Sequence, residues 1–152
     1  MSVNPALSYK QAAVQGATPI GQIIALYDII LRDLGWAMVA LAAGDIERRI
    51  DALNHALSVI GYLESVLDFE RGGVAASRFQ TFYRVTRALI VQANVNATPD
   101  GIEKLVEMYG QVRQAWYRVD RRATLEQAGA ADTEDVRPAF DNPQIQRSHW
   151  SV

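Results

Sequence analysis

Chemistry in this chain of 152 residues would have to come from very few side chains. It has two histidines and no cysteine, which removes thiol nucleophiles, disulfides and thiolate metal sites and fits a reducing compartment. His55 follows Asp51 by four residues, so the two share a helical face and could be a ligand pair, but a solvated i,i+4 pair is the reading the residues support. Glu103 and Glu107 form one solvated face in the same way. A di-iron bundle needs Glu-x-x-His pairs on facing helices, and none occurs. Gly72-Gly73 lacks the Lys-Ser/Thr that would complete a phosphate loop, and Asn96-Ala97-Thr98 is a chance sequon without a secretory route. Serine, histidine and acid nowhere form a nucleophile motif. The expectation is a protein that is no enzyme, with no cofactor and no metal.

Composition narrows the class further. Fifteen basic and seventeen acidic residues give a net charge of -2, too balanced for a nucleic-acid partner or an anionic membrane surface. Residues 20–43 are apolar enough to suggest a membrane span, but Asp28, Arg32 and Asp33 interrupt them, so no membrane insertion is expected. The start lacks the basic and apolar regions of a signal peptide, which predicts a cytoplasmic protein. At this length and 49% hydrophobic content, one domain is expected.

The elements that must position any site are helices. Thr18 is a predicted N-cap and Pro19 fits the first helical position, where its missing N–H is not needed. Ile20, Ile23, Ile24, Tyr27, Leu31, Leu34, Met38 and Leu41 then recur at three- and four-residue steps as a core face. Gly44 ends this helix near Ala43, and Asp45 caps a second, whose core stripe is read as Ile46, Ile50, Leu53, Leu57, Ile60 and Leu67. Gly72-Gly73 make a tight return. A third helix is expected from about Val74 to Asn96, with Ala75, Phe79, Phe82, Thr86, Leu89 and Ala93 inward. Thr98-Pro99-Asp100 opens a fourth, with Ile102, Leu105, Val106, Tyr109, Val112, Trp116 and Val119 as its stripe. Short turns and four apolar stripes predict an all-α fold, an antiparallel up-and-down four-helix bundle over residues 17–123. Residues 1–16 read as a mobile N-terminal arm. Residues 124–152 hold five acids against two arginines, with Pro138 and Pro143, and read as a disordered C-terminal tail.

One anomaly points to a partner. A bundle helix needs a single apolar stripe, yet Ile29 and Trp36 fall opposite the first helix's core face, and Val59, Tyr62, Val66 and Phe69 line a second stripe nearly opposite Ile46, Ile50, Leu53 and Leu57. Either loops, the N-terminal arm or a helix-packing corner cover these side chains, or an amphipathic helix docks on them.

Several short motifs decide between these readings. Ala17-Thr18-Pro19, an aliphatic pair at Ile23-Ile24 and Tyr27-Asp28, together with Leu67-Asp68 ahead of Gly72-Gly73 and Ala75, resemble the flagellar secretion chaperone family, FliS. Tyr9-Lys10-Gln11, Tyr83, Gln92-Ala93-Asn94 and Ala115-Trp116 match at the family's order and spacing, so the resemblance spans Tyr9 to about Arg122. It departs at His55, where a lysine is usual, and at Tyr83-Arg84-Val85 and Ala88-Leu89, where the family often has a second tyrosine and a basic pair; no role for those groups carries over. The resemblance implies a cytoplasmic chaperone that binds the C-terminal segment of flagellin, prevents premature polymerisation and keeps the subunit export-competent. It further implies an arm, through Leu7 and Tyr9, that covers part of the ligand groove, and release without ATP by competition at the flagellar export gate. The free protein is expected as a monomer or weak homodimer. A bundle adaptor for another helical ligand is the alternative, and a ferritin-like enzyme the remaining class. The contact set expected is Leu7, Tyr9, Ile29, Trp36, Val59, Tyr62, Val66 and Phe69.

Overall fold

The computed structural model describes residues 18–140, with side chains described for residues 18–130. Leu7 and Tyr9 lie outside the described residues, as does the tail beyond Phe140. Four helices follow in order, α1 (Pro19–Ala43), α2 (Ile46–Ser65), α3 (Phe69–Asn96) and α4 (Pro99–Phe140), and no strand occurs among the described residues. They form the expected antiparallel up-and-down bundle.

Local chemistry sets each boundary. The Thr18 hydroxyl accepts a bond from the Gly21 N–H at 2.8 Å, meeting one of the donors that a helix start leaves open. At the other end of α1, Gly44 adopts φ 71°, and the Gly44 and Asp45 N–H groups donate back to Leu41 and Ala40 carbonyls at 3.2 and 2.8 Å. This paired reversal requires a left-handed residue, which glycine supplies without a Cβ penalty. Asp45 then caps α2 by accepting from the Arg48 N–H, so the α1–α2 hairpin is closed by two adjacent residues of opposite tasks.

The second boundary differs from expectation. Asp68 accepts from the Arg71 N–H at 3.0 Å, so α3 starts at Phe69 rather than Val74, and the two glycines lie inside it. Gly73, at φ 49° and ψ -121°, breaks the helical path after one turn. Between α3 and α4, Ala97 takes the left-handed conformation at φ 51°, which costs a residue with a Cβ about 1–2 kcal/mol.

The core of the bundle draws on all four helices. Tyr27, Ile30 and Leu34 of α1, Leu53 and Ile60 of α2, Ile90 of α3 and Ile102, Leu105 and Tyr109 of α4 are fully buried. Three phenols sit among them. The Tyr27 and Tyr83 hydroxyls share a 2.9 Å hydrogen bond, and Tyr109 shares one of 2.6 Å with Thr86. Burial pushes the pKa of all three up, so they remain neutral donors and acceptors and satisfy polar atoms that would otherwise be stranded in the core.

Three stripes need correction; on α4 the misplaced residues are Val106 and Val119, both exposed. On α2 the buried residues are Ala52, Leu53, Ala56, Val59, Ile60 and Leu63, an arc lying between the two stripes read from sequence. Ile46 is exposed, and Val59 is not surplus surface but wholly buried. Alanine was the cause: Ala52 and Ala56 mark the middle of the buried arc, and their small side chains do not announce it. On α3 it is Ala76, not Ala75, that turns inward.

The chain divides into a compact unit ending at Tyr117 and a second from Arg118 onward. In the second, the helix runs to Phe140. A proline disturbs chiefly the turn before it, and Pro138 stands two residues before the helix end. Val119 and Leu125 are exposed on this segment.

Candidate interaction groove

The α1–α2 hairpin opens a groove of about 590 Å³ near its Gly44 turn. Four positions on α1, namely Trp36, Val39, Ala40 and Ala43, follow the i, i+3, i+4, i+7 rule and so share one face. They meet Ala52 of α2 across the groove. The alanines leave space, and the larger side chains stay open: Trp36 is 60% and Val39 69% exposed. The Arg32 guanidinium lies 5.0 Å over the Trp36 ring, a contact that steadies the indole without hiding it. Arg48, Asp45 and Asp51 supply both signs of charge around the apolar strip.

A buried acid lies in the groove wall. Asp33 is 2% exposed, and its carboxylate meets His55 Nδ1 of α2 at 2.5 Å, with Arg32 3.7 Å away. His55, read from sequence as half of a solvated pair with Asp51, thus ties the two helices together. Burial raises the Asp33 pKa above its ordinary 3.8, against the opposing pull of the His55 bond and the His55 and Arg32 charges. A carboxyl whose folded-state pKa is raised contributes stability that is present below the unfolded value and is lost as pH climbs through the folded one. Wild type should therefore lose melting temperature relative to Asp33→Asn as pH rises from about 4 to 7. A gap that instead widens in favour of wild type would show that a charged Asp33–His55 pair outweighs desolvation.

The expected contact residues do not come together. Trp36 lies in the groove. Val66 and Phe69 are exposed, 55% and 46%, but at the far end of α2. Ile29 and Tyr62 are half-buried and pack on the core, and Val59 is inside it. Val39 and Ala43 were missed, though their spacing from Trp36 was a readable signal. Asp33 was missed because its partner is twenty-two residues away on another helix.

Elsewhere the molecule ties its helices with ordinary surface pairs. Arg113 of α4 bonds Asp28 of α1, Arg84 and Arg87 of α3 both meet Glu64 of α2, and Arg49 of α2 reaches Asn94 of α3. Among the described residues no group of three or more His, Cys, Asp or Glu could hold a metal ion, and no helix is long and apolar enough to cross a membrane.

Comparison with known proteins fits this geometry. The model of a family described as "Flagellar protein FliS" matches residues 2–123. The chain is 30% identical over 122 residues to the flagellar secretion chaperone FliS of Campylobacter jejuni, covering 80% of this chain and 94% of that protein. It is 27% identical over 119 residues to the flagellar secretion chaperone FliS of Salmonella typhimurium, covering 78% and 88%. Over 106 residues it is 27% identical to the flagellar secretion chaperone FliSB of Pseudomonas aeruginosa, covering 70% and 84%.

Proposed function

From the premise that the chain belongs to the FliS family of flagellar secretion chaperones, we propose that it binds the C-terminal segment of flagellin in the cytoplasm, blocks its premature polymerisation and delivers it to the export gate. The observation that carries this reading is the open apolar strip of Trp36 and Val39 beside small-residue walls. Such a groove suits the apolar face of an amphipathic helix, which a disordered client forms as it docks.

Val66 and Phe69 extend the proposed contact toward the other end of the hairpin. From Ala52, beside Trp36, to Val66 is fourteen residues of helix, about 20 Å, a length that some four turns of client helix would cover. Leu7 and Tyr9 are proposed to compete for the same surface in the free protein. Exchange of one apolar surface for another needs no ATP; release follows when a competing site binds the client or the chaperone. Calorimetric titration against flagellin with and without its C-terminal segment tests the proposal.

A further inference from the structure

The polar side of the α1–α2 groove holds a charge imbalance that its apolar strip does not need. Among the described residues, two guanidiniums line it, Arg32 and Arg48, against three acids, Asp33, Asp45 and Asp51, and His55 is the remaining titratable group. No residue of α3 or α4 lines it. Arg48 meets Asp45 at 3.4 Å and Arg32 meets Asp33 at 3.7 Å, which leaves Asp51 over, one helical turn before His55 on the same wall. With every acid ionised and His55 neutral, the groove is short of balance by one positive charge, and one proton supplies it.

That proton has a place. The Asp33 side chain is 2% exposed, whereas the imidazole bonded to it is 37% exposed and forms the open side of the pair. A client helix seated on Trp36 and Val39 covers this side too, because His55 lines the same groove. Loss of water is costly for an unbalanced charge and far less so for opposite charges in contact or for a neutral pair. Docking therefore favours the pair with its proton over the pair without. Burial already pushes the Asp33 pKa up in the free protein, the same effect in the same direction. The pair also reaches the client anchor, since the guanidinium beside Asp33 lies 5.0 Å over the Trp36 ring.

We infer that client binding in this groove takes up a proton, held between Asp33 and His55, so that affinity falls as pH rises through neutrality. The inference rests on the reading of the groove as the client site. In the bound state the pair holds its proton more tightly than in the free state. Affinity is therefore full where the free pair is already protonated. Above that it falls by up to about tenfold per pH unit, until the bound pair releases the proton as well. Histidine is the side chain that ordinarily changes charge between about pH 5 and 8, which places the effect near neutral pH.

Calorimetric titration of the full chain with a histidine-free peptide of the flagellin C-terminal segment, from about pH 6 to about pH 8.5 at constant salt, tests this. Wild-type affinity should fall about tenfold or more across that range. At a pH near neutral, the difference in heat between phosphate and Tris buffers should show uptake of a sizeable fraction of a proton. His55→Lys, which keeps the positive charge, should bind with little dependence on pH. His55→Gln, which cannot carry it, should bind at the acidic end about as weakly as wild type does at the basic end. Melting curves at each pH separate lost binding from lost fold, and the wild-type profile and buffer comparison stand without either variant. Equal wild-type affinity at both ends of the range, or a pH dependence that His55→Lys retains, would overturn the inference and leave the groove as the client site. Absence of peptide binding at every pH would overturn the proposed function and the inference with it.

Discussion

Trp36→Ala should bind a peptide of the flagellin C-terminal segment about tenfold or more weakly than wild type, with little change in melting temperature. Aromatic anchors at the centre of an interface commonly contribute about 2 kcal/mol or more on truncation. Trp36 contributes little to the folded monomer, because its ring is more than half exposed and its described contact is Arg32 above it. Val39→Asp, at a still more exposed position on the same face, sets a charge in the path of the client's apolar side chains and should reduce affinity at least as far. Titration calorimetry beside melting curves reads both effects. Affinity within about twofold of wild type for both variants would move the site away from the groove, to the Val66–Phe69 end or to α3 and α4. Unfolding in step with lost binding would make Trp36 an ordinary packing residue.

The second large effect is on stability. Leu34→Ala and Leu53→Ala should each cost about 2–5 kcal/mol in urea denaturation, since both side chains are fully buried and the cavity left adds to the lost transfer energy. Leu31 and Leu57, on the stripes read from sequence, are only half-buried against the core and should cost about half as much. Equal losses at all four positions would mean that the buried arcs of α1 and α2 are wider than the structure draws them.

What could be read in the sequence was local chemistry. Thr18-Pro19, Gly44-Asp45 and Thr98-Pro99 encode their boundaries within three or four residues, so the start of α1, the α1–α2 reversal and the start of α4 followed directly. The length of α4 is not encoded in the same local way, because a proline such as Pro138 disturbs chiefly the turn before it. Gly73 was legible as a break but not as a break inside a helix, since Asp68 starts α3 one turn earlier with a cap that looked like part of the loop. The face of α2 was misjudged because two alanines hold its centre, and their burial depends on how closely α1 approaches. Asp33 shows the limit most clearly. Nothing local distinguishes it from the exposed Asp28 on the same helix; only the position of His55 on the facing helix makes its burial tolerable. The candidate groove was half legible, Trp36 from its place opposite the core stripe and the rest only once α2 was set beside α1.

The most direct test of the account is calorimetric titration of the full chain with intact flagellin monomer and with flagellin lacking its C-terminal segment, each repeated with Trp36→Ala. One-to-one binding of intact flagellin is expected, with loss of that binding on deletion of the segment and a marked weakening of the intact complex by Trp36→Ala. Unaltered binding of the shortened flagellin would contradict it, because the α1–α2 groove would then have no client helix to hold.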